Sequence, residues 1–571
     1  MAYDLIVRGG TIVDGSGLPG YRADLGVIDG MIAAIGNLKG QAAKEEIDAE
    51  GHVVAPGFVD GHTHMDAQVF WDALGTCSVW HGVTSVVMGN CGFSLAPCAE
   101  KDKALVLRNL ERAEDISGPA MEAGIPWSWT TFSEYLDAVD RLPKGINYAG
   151  YVGHSALRTY AMGERAFTDK ADADDMAAMK REFEAGMRAG AVGFSTSMSG
   201  NHRTPEGRPV ASRLADWDEV CQLTHVMGKL GAGVLELSRE GRDHDPERMA
   251  GEQARLKTLA VESGVPLTFG SAWYHRATPD VWRSQFEMVD DTWAAGGKML
   301  IQGSATWNGS LRSFETLMLF DRAPLWIDFR KLPLEEQEKG LRDPEMRKKL
   351  VDAAKAFKTS RDPSLPNVLI RDIDWNWVFP LDRPLPPYRS IAEIAREQGK
   401  DPIDAYIDIA LEKHLKMFFI NPSNNEDQDY VLAMIRHPRT AVTFSDSGAH
   451  VASVINPVQT HLLGHWVRAK QALTMEAAVR KITHDIAAFW GLKGRGLLRQ
   501  GFHADIAVFD PKTVSPAMPT LVNDLPTAAT RILQKAIGIK ATVVNGQVLM
   551  RDGEHSGALP GKLLRGPLAY N

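Results

Sequence analysis

Residues 53–66, "VVAPGFVDGHTHMD", join two different kinds of sequence. Upstream of them, "YDLIVRGGTIVDG", "ADLGVIDGMIAAIG" and "EEIDAEGHVVAPG" are short alternating strands. Gly-Gly, Asp-Gly and Gly-Ser steps break them up, which is the chemistry of hairpins and turns. Downstream, short apolar strands alternate with amphipathic helices, the pattern of a parallel α/β sheet or barrel. Eight strands are predicted: "VVAPGFVDGHTH", "TSVVMGNCG", "NYAGYVGH", "AVGFSTSM", "AGVLELSRE", "VPLTFGSAW", "KMLIQGS" and "TAVTFSD". That number predicts a closed (β/α)8 TIM barrel, within the α/β class.

The texture of the first 55 residues returns near the end, in "ADIAVFDP" and "IKATVVNGQVLMRDGEHSG", where Asn545-Gly546 is a strong hairpin signal. Neither end can bury a face by itself, so residues 1–56 and 486–571 are expected to pair into one small β-sandwich. The barrel then occupies 57–485. Between its helices, "DMAAMKREFEAGMRAG" places apolar residues three and four apart and stops at Gly190, a normal residue just past a helix end. A stretch of about 304–375, containing "LPLEEQEKGLRDPEMRKKLVDAAKAF", interrupts the strand pattern and reads as an inserted group of charged helices.

The bulk composition narrows the function. The chain has 571 residues, 44% hydrophobic and 24% charged, an ordinary globular balance. A formal net charge of −9 argues against a nucleic-acid partner, because neutralising phosphates requires clustered cations. The N-terminal stretch lacks a cationic region followed by a long apolar run, and no segment approaches 18 uninterrupted apolar residues. No membrane partner is expected, and four cysteines in so long a chain fit a reducing, cytoplasmic setting.

All eight strands end in polar residues, and in such barrels the chemistry sits at the C-terminal strand ends, around one mouth. His62 and His64 are two apart and point the same way in an extended chain. Cys91 ends the second strand and Asp446 the eighth, and the first strand of a closed barrel neighbours both. Imidazoles, a thiolate and a carboxylate are the ligand set expected for Zn²⁺.

The succession "GGTIVDGSG", "PGFVDGHTHMD", "GVTSVVMGNCGFSLAP", "NYAGYVGHSALR", "RAGAVGFSTSM", "TFSDSG" and "GLLRQGFHADIAVFDP" resembles the amidohydrolase superfamily, and within it the N-acyl-D-amino-acid deacylase (D-aminoacylase) family. The likeness runs over nearly the whole chain. It implies a metal-bearing barrel with a β-sandwich built from both termini, and His62, His64, Cys91 and Asp446 as metal ligands. It further implies a hydrolase for C–N bonds other than peptide bonds, acting on a small-molecule amide. Hydroxide generated on the metal would attack the carbonyl, with Asp446 as general base and then acid. The metal or His154 would supply the oxyanion donor. An N-acyl amino acid carries a carboxylate, for which Arg158, Arg239 and Arg276 are candidate clamps. Ser195 is a packing or substrate contact.

The chain also departs from the family's pattern. Relatives place further histidine ligands at the ends of the fifth and sixth strands, where this sequence has "LELSREGRD" and "TFGSAWYHRATPD". His244 lies several residues past the fifth strand, and His275 is the sixth strand's candidate ligand. One zinc ion is therefore the preferred expectation, with two left open. The same fold also serves cyclic-amide hydrolases and deaminases, and a barrel that had lost its metal would persist as a binding or assembly protein. Self-association into a homo-oligomer is left open.

Overall fold

A computed structural model describes residues 2–241, 245–270, 272–357, 373–455 and 457–570. His244 and part of the inserted stretch therefore lie outside the described residues.

The barrel is a closed ring of parallel strands. Phe58–Asp60 pairs with Val83–Met88, which pairs with Asn147–Gly150. That third strand continues as Val152–Gly153 and pairs with Gly193–Ser197. Next come Val234–Ser238, Leu267–Phe269, Met299–Gly303 and Thr440–Val442, each bonded to the last. The ring shuts where Phe444–Ser447, the end of the eighth strand, pairs with His62–Thr63, the end of the first. His62 and Asp446 therefore lie along the closing seam, with His64 just beyond it and Cys91 after the neighbouring second strand. All six residues of Val83–Met88 are buried, as expected for a parallel strand covered on both faces.

The surrounding helices start and stop where local chemistry dictates. Ala173–Ala189 begins with a reciprocal capping box between Asp172 and Asp175 and ends at Gly190, whose φ of 116° suits a residue without a side chain. Its buried residues Met179, Phe183, Gly186 and Met187 follow the three-and-four spacing of one helix face.

Both termini share one nine-stranded sheet, in which Ile506–Phe509 lies between Val53–Pro56 and Ile539–Val544. Leu5, Val7, Leu25, Ile32, Val54, Ile506, Val508 and Val543 form its apolar core. The hairpin at Asn545-Gly546 has φ of 46° and 82°, the left-handed pair that a tight two-residue turn demands. A side chain on Gly546 would come within 2.6 Å of Gly30 Cα, so this turn packs directly on the one at Asp29-Gly30.

The inserted region has a core of its own. Phe314, Phe320, Trp326, Leu350, Tyr406 and Phe419 belong to one cluster, which extends well past residue 375. No helix among the described residues is long and apolar enough to cross a membrane.

Candidate active site

His62 and His64 end the first strand side by side, with ring centroids 5.4 Å apart. Both direct Nε2 at one carboxylate oxygen: Asp446 Oδ1 is 3.2 Å from His62 Nε2 and 3.4 Å from His64 Nε2. Cys91 Sγ lies 3.6 Å from His62 Nε2. Donor atoms of His62, His64 and Cys91 thus lie within 4.8 Å of one another, with Asp446 against both imidazoles. Gln302, on the seventh strand, fixes the His62 ring through Nδ1 at 2.5 Å, which leaves Nε2 facing the cluster.

The backbone takes up unusual conformations to achieve this. Cys91 and Asp446 have φ of 56° and 55°, in the left-handed region that side chains rarely adopt. The loop carrying Cys91 is held from two sides. Glu236, from the fifth strand, accepts the Cys91 amide at 2.7 Å, and the Ser195 hydroxyl accepts the Gly92 amide at 3.1 Å while donating to Gly89 O. Gly448 lies so close to the first strand that a side chain there would come within 2.5 Å of His64 O.

Burial dominates the electrostatics of the cluster. Burial, followed by the charge of neighbouring carboxylates, pushes Glu114 well above the usual range. Burial likewise raises Glu236, to about 7. The Cys91 thiol is pushed up by burial and then by Glu236, Glu114 and Asp446. Burial would also raise Asp446, but hydrogen bonding and charge from His62 and His64 outweigh it and hold this carboxyl well below its ordinary value. Among the described residues His64 Nδ1 makes no hydrogen bond, and Nε2 faces carboxylate oxygens of Asp446 and Glu114, each at 3.4 Å. Buried acids and unbonded imidazoles of this kind are normally reconciled by a metal ion. The donor set of two imidazoles, a thiolate and a carboxylate fits one.

Other predicted residues are used elsewhere. His154 contacts Thr196 Oγ1 and Glu219 Oε1, both at 2.8 Å, so both its ring nitrogens are engaged. Arg158 is fully buried against the same Glu219. Neither joins the cluster. Arg239 is paired with Glu252 at 3.3 Å, and Arg276 reaches Asp374 at 2.9 Å and lies over the Trp377 ring. Among the described residues, His275 is in no group of converging metal donors; its Nδ1 accepts the Ala277 amide at 3.1 Å. Ser195 clamps the Cys91 loop. Ser195→Ala should therefore weaken metal binding about 10-fold and leave KM for substrate unchanged, as read by metal titration beside steady-state kinetics.

Three acidic and basic groups were not identified from sequence. Glu236 braces Cys91 from inside the barrel. Glu114 sits 3.4 Å from His64 Nε2, and His202 directs Nε2 at Glu114 Oε1 from 4.0 Å. A cavity beside Asp446 is lined by Gln68, His81, Ser447, Gln459, Arg531 and Gln534, which brings the C-terminal segment to the edge of the site.

Known proteins place this geometry in context. The chain is 29% identical over 576 residues to a D-aminoacylase of Alcaligenes xylosoxydans xylosoxydans, covering 98% of this chain and 97% of that one. It is also 29% identical to an N-acyl-D-aspartate deacylase of the same organism, over 98% of this chain and 95% of the relative. A solved D-aminoacylase structure, described in terms of its binuclear metal centre with one-metal activation and second-metal attenuation, superposes with a TM-score of 0.65. It is 25% identical and covers 99% of this chain and 100% of its own. The amidohydrolase family pattern matches residues 45–346 and 366–550, and this chain belongs to that family.

Proposed function

We propose that the protein hydrolyses the amide bond of small N-acyl-D-amino acids with a zinc ion held by His62, His64, Cys91 and Asp446. The observation that carries this reading is the convergence of both Nε2 atoms on Asp446 Oδ1 within 3.4 Å, with Cys91 Sγ beside them. The whole-length likeness to deacylases of N-acyl-D-amino acids supports the substrate class.

When bound, such a cation supplies Lewis acidity at the amide carbonyl and lowers the pKa of water toward about 7. The chain's own groups do the rest. Asp446, 3.2 and 3.4 Å from the two imidazoles, takes the proton from the attacking water as the C–O bond forms. It returns that proton to the nitrogen as the C–N bond breaks, giving a carboxylic acid and a free amine. Gln302 keeps His62 in one orientation, and Glu236 and Ser195 keep the Cys91 loop in place. Of the three arginines named above, Arg276 keeps the most exposure, 28% against 7% for Arg239 and 0% for Arg158. We assign Arg276 to the substrate carboxylate.

The test is a substrate panel of N-acyl-D- and N-acyl-L-amino acids, hydantoins and aminopurines, run with chelated and zinc-restored protein. Turnover of the D-compounds that chelation abolishes and zinc restores is expected. Activity confined to hydantoins or aminopurines would replace this substrate class. Absence of both bound metal and turnover would leave a binding protein.

A further inference from the structure

The fifth and sixth strands end in Ser238 and Phe269, neither of them a histidine. A different trio converges close by. The ligand atoms of Cys91, Glu114 and His202 all lie within 4.8 Å of one another. Glu114 comes from the turn after helix Lys103–Glu111, where its amide still bonds Leu110 O, and His202 from the loop beyond the fourth strand.

Two features point these side chains at a ligand. Glu114 is 2% exposed, yet among the described residues its Oε1 has no hydrogen-bond partner. A buried carboxylate oxygen left without a partner is costly, and a cation is the usual remedy. The His202 ring is fixed from behind: Nδ1 is 2.7 Å from Ser197 Oγ, and Phe93 packs against it at 5.2 Å. That contact leaves Nε2 directed at Glu114, which is how a metal-binding imidazole is normally held. His450 stands on the rim with Nε2 3.9 Å from Glu114 Oε2, and its amide donates to Glu114 O at 2.7 Å, so the acid is also anchored through its backbone.

We propose that Cys91, Glu114 and His202 form a second divalent-cation position, suited to zinc by its mixed sulfur, nitrogen and oxygen donors. It adjoins the first position and shares the Cys91 thiolate with it. In this chain the second ion is held by residues from loops where the family pattern uses strand ends. The inference rests on the ligand set given under Proposed function only through Cys91.

The test is calorimetric titration of the full chain, freed of metal by chelation and dialysis, with Zn²⁺ alone. Wild type, Glu114→Gln, His202→Asn and His62→Asn are compared, each checked for native circular dichroism. Two equivalents are expected in wild type. One should remain in Glu114→Gln and in His202→Asn, and the other one in His62→Asn. Either of the first two variants suffices if the other misfolds. A single wild-type equivalent that survives Glu114→Gln and His202→Asn but is lost in His62→Asn overturns the second position and leaves the first intact. Two equivalents in both loop variants overturn it as well. A single equivalent lost in the loop variants and kept in His62→Asn supports this position and overturns the ligand set of the proposed function.

Discussion

Asp446→Asn is expected to lower kcat for amide hydrolysis by about 10²- to 10⁴-fold, the range associated with removing a positioned proton-transfer group. The substitution separates chemistry from folding. Asp446 sits at φ 55°, a conformation that asparagine tolerates as readily as aspartate, so the local backbone should survive. What disappears is the carboxylate that both imidazoles face at 3.2 and 3.4 Å. The amide that replaces it is a poor base and a weak ligand. Steady-state kinetics beside a thermal melt are decisive: a Tm within a few degrees of wild type together with the loss of kcat is the expected pair. Unchanged turnover would remove Asp446 from the proton path.

Cys91→Ala is the second large effect. If the thiolate holds the cation, several kcal/mol of transition-state stabilisation go with it, which is about 10³-fold or more in rate. A cysteine that was merely buried would cost about 1–2 kcal/mol of stability and spare turnover. The Cys91 amide bonds Glu236 through the backbone, and that contact does not depend on the side chain. The fold of the loop is therefore expected to persist in the variant. Bound metal per chain, measured after dialysis, should fall along with activity.

Periodicity made most of the fold readable. Strand ends are marked by a switch from an apolar run to polar residues, and seven of the predicted runs supply barrel strands as read, whereas the first, "VVAPGFVDGHTH", is divided: Val53–Pro56 joins the terminal sheet and only Phe58–Asp60 and His62–Thr63 enter the ring. His62, His64, Cys91 and Asp446 were legible for the same reason, since each stands where such a run stops. Glu114 and His202 lie in loops, where no repeating pattern constrains direction, and nothing local distinguishes "RAED" or "SGNH" from a solvated turn. His154 shows where strand-end position says less. It stands at a strand end, but its ring is drawn to Glu219 on helix Trp217–Leu230, a partner 65 residues away that sequence spacing does not announce. The insertion shows a third limit. Its apolar residues from Phe314 to Phe419 make one cluster, so compositional change alone places its edge too early.

The seam that closes the barrel has a consequence for synthesis. His62 and Ser445, bonded across it, are 383 residues apart. At translation rates of about 5–20 residues per second, the two edges leave the ribosome about 20–80 s apart. Until the later edge emerges, the nascent chain exposes an unpaired strand and two histidines without their carboxylate. The cluster that His62 and His64 form with Asp446 cannot assemble before then, and a transcript cut short before codon 446 is expected to yield a product without hydrolytic activity.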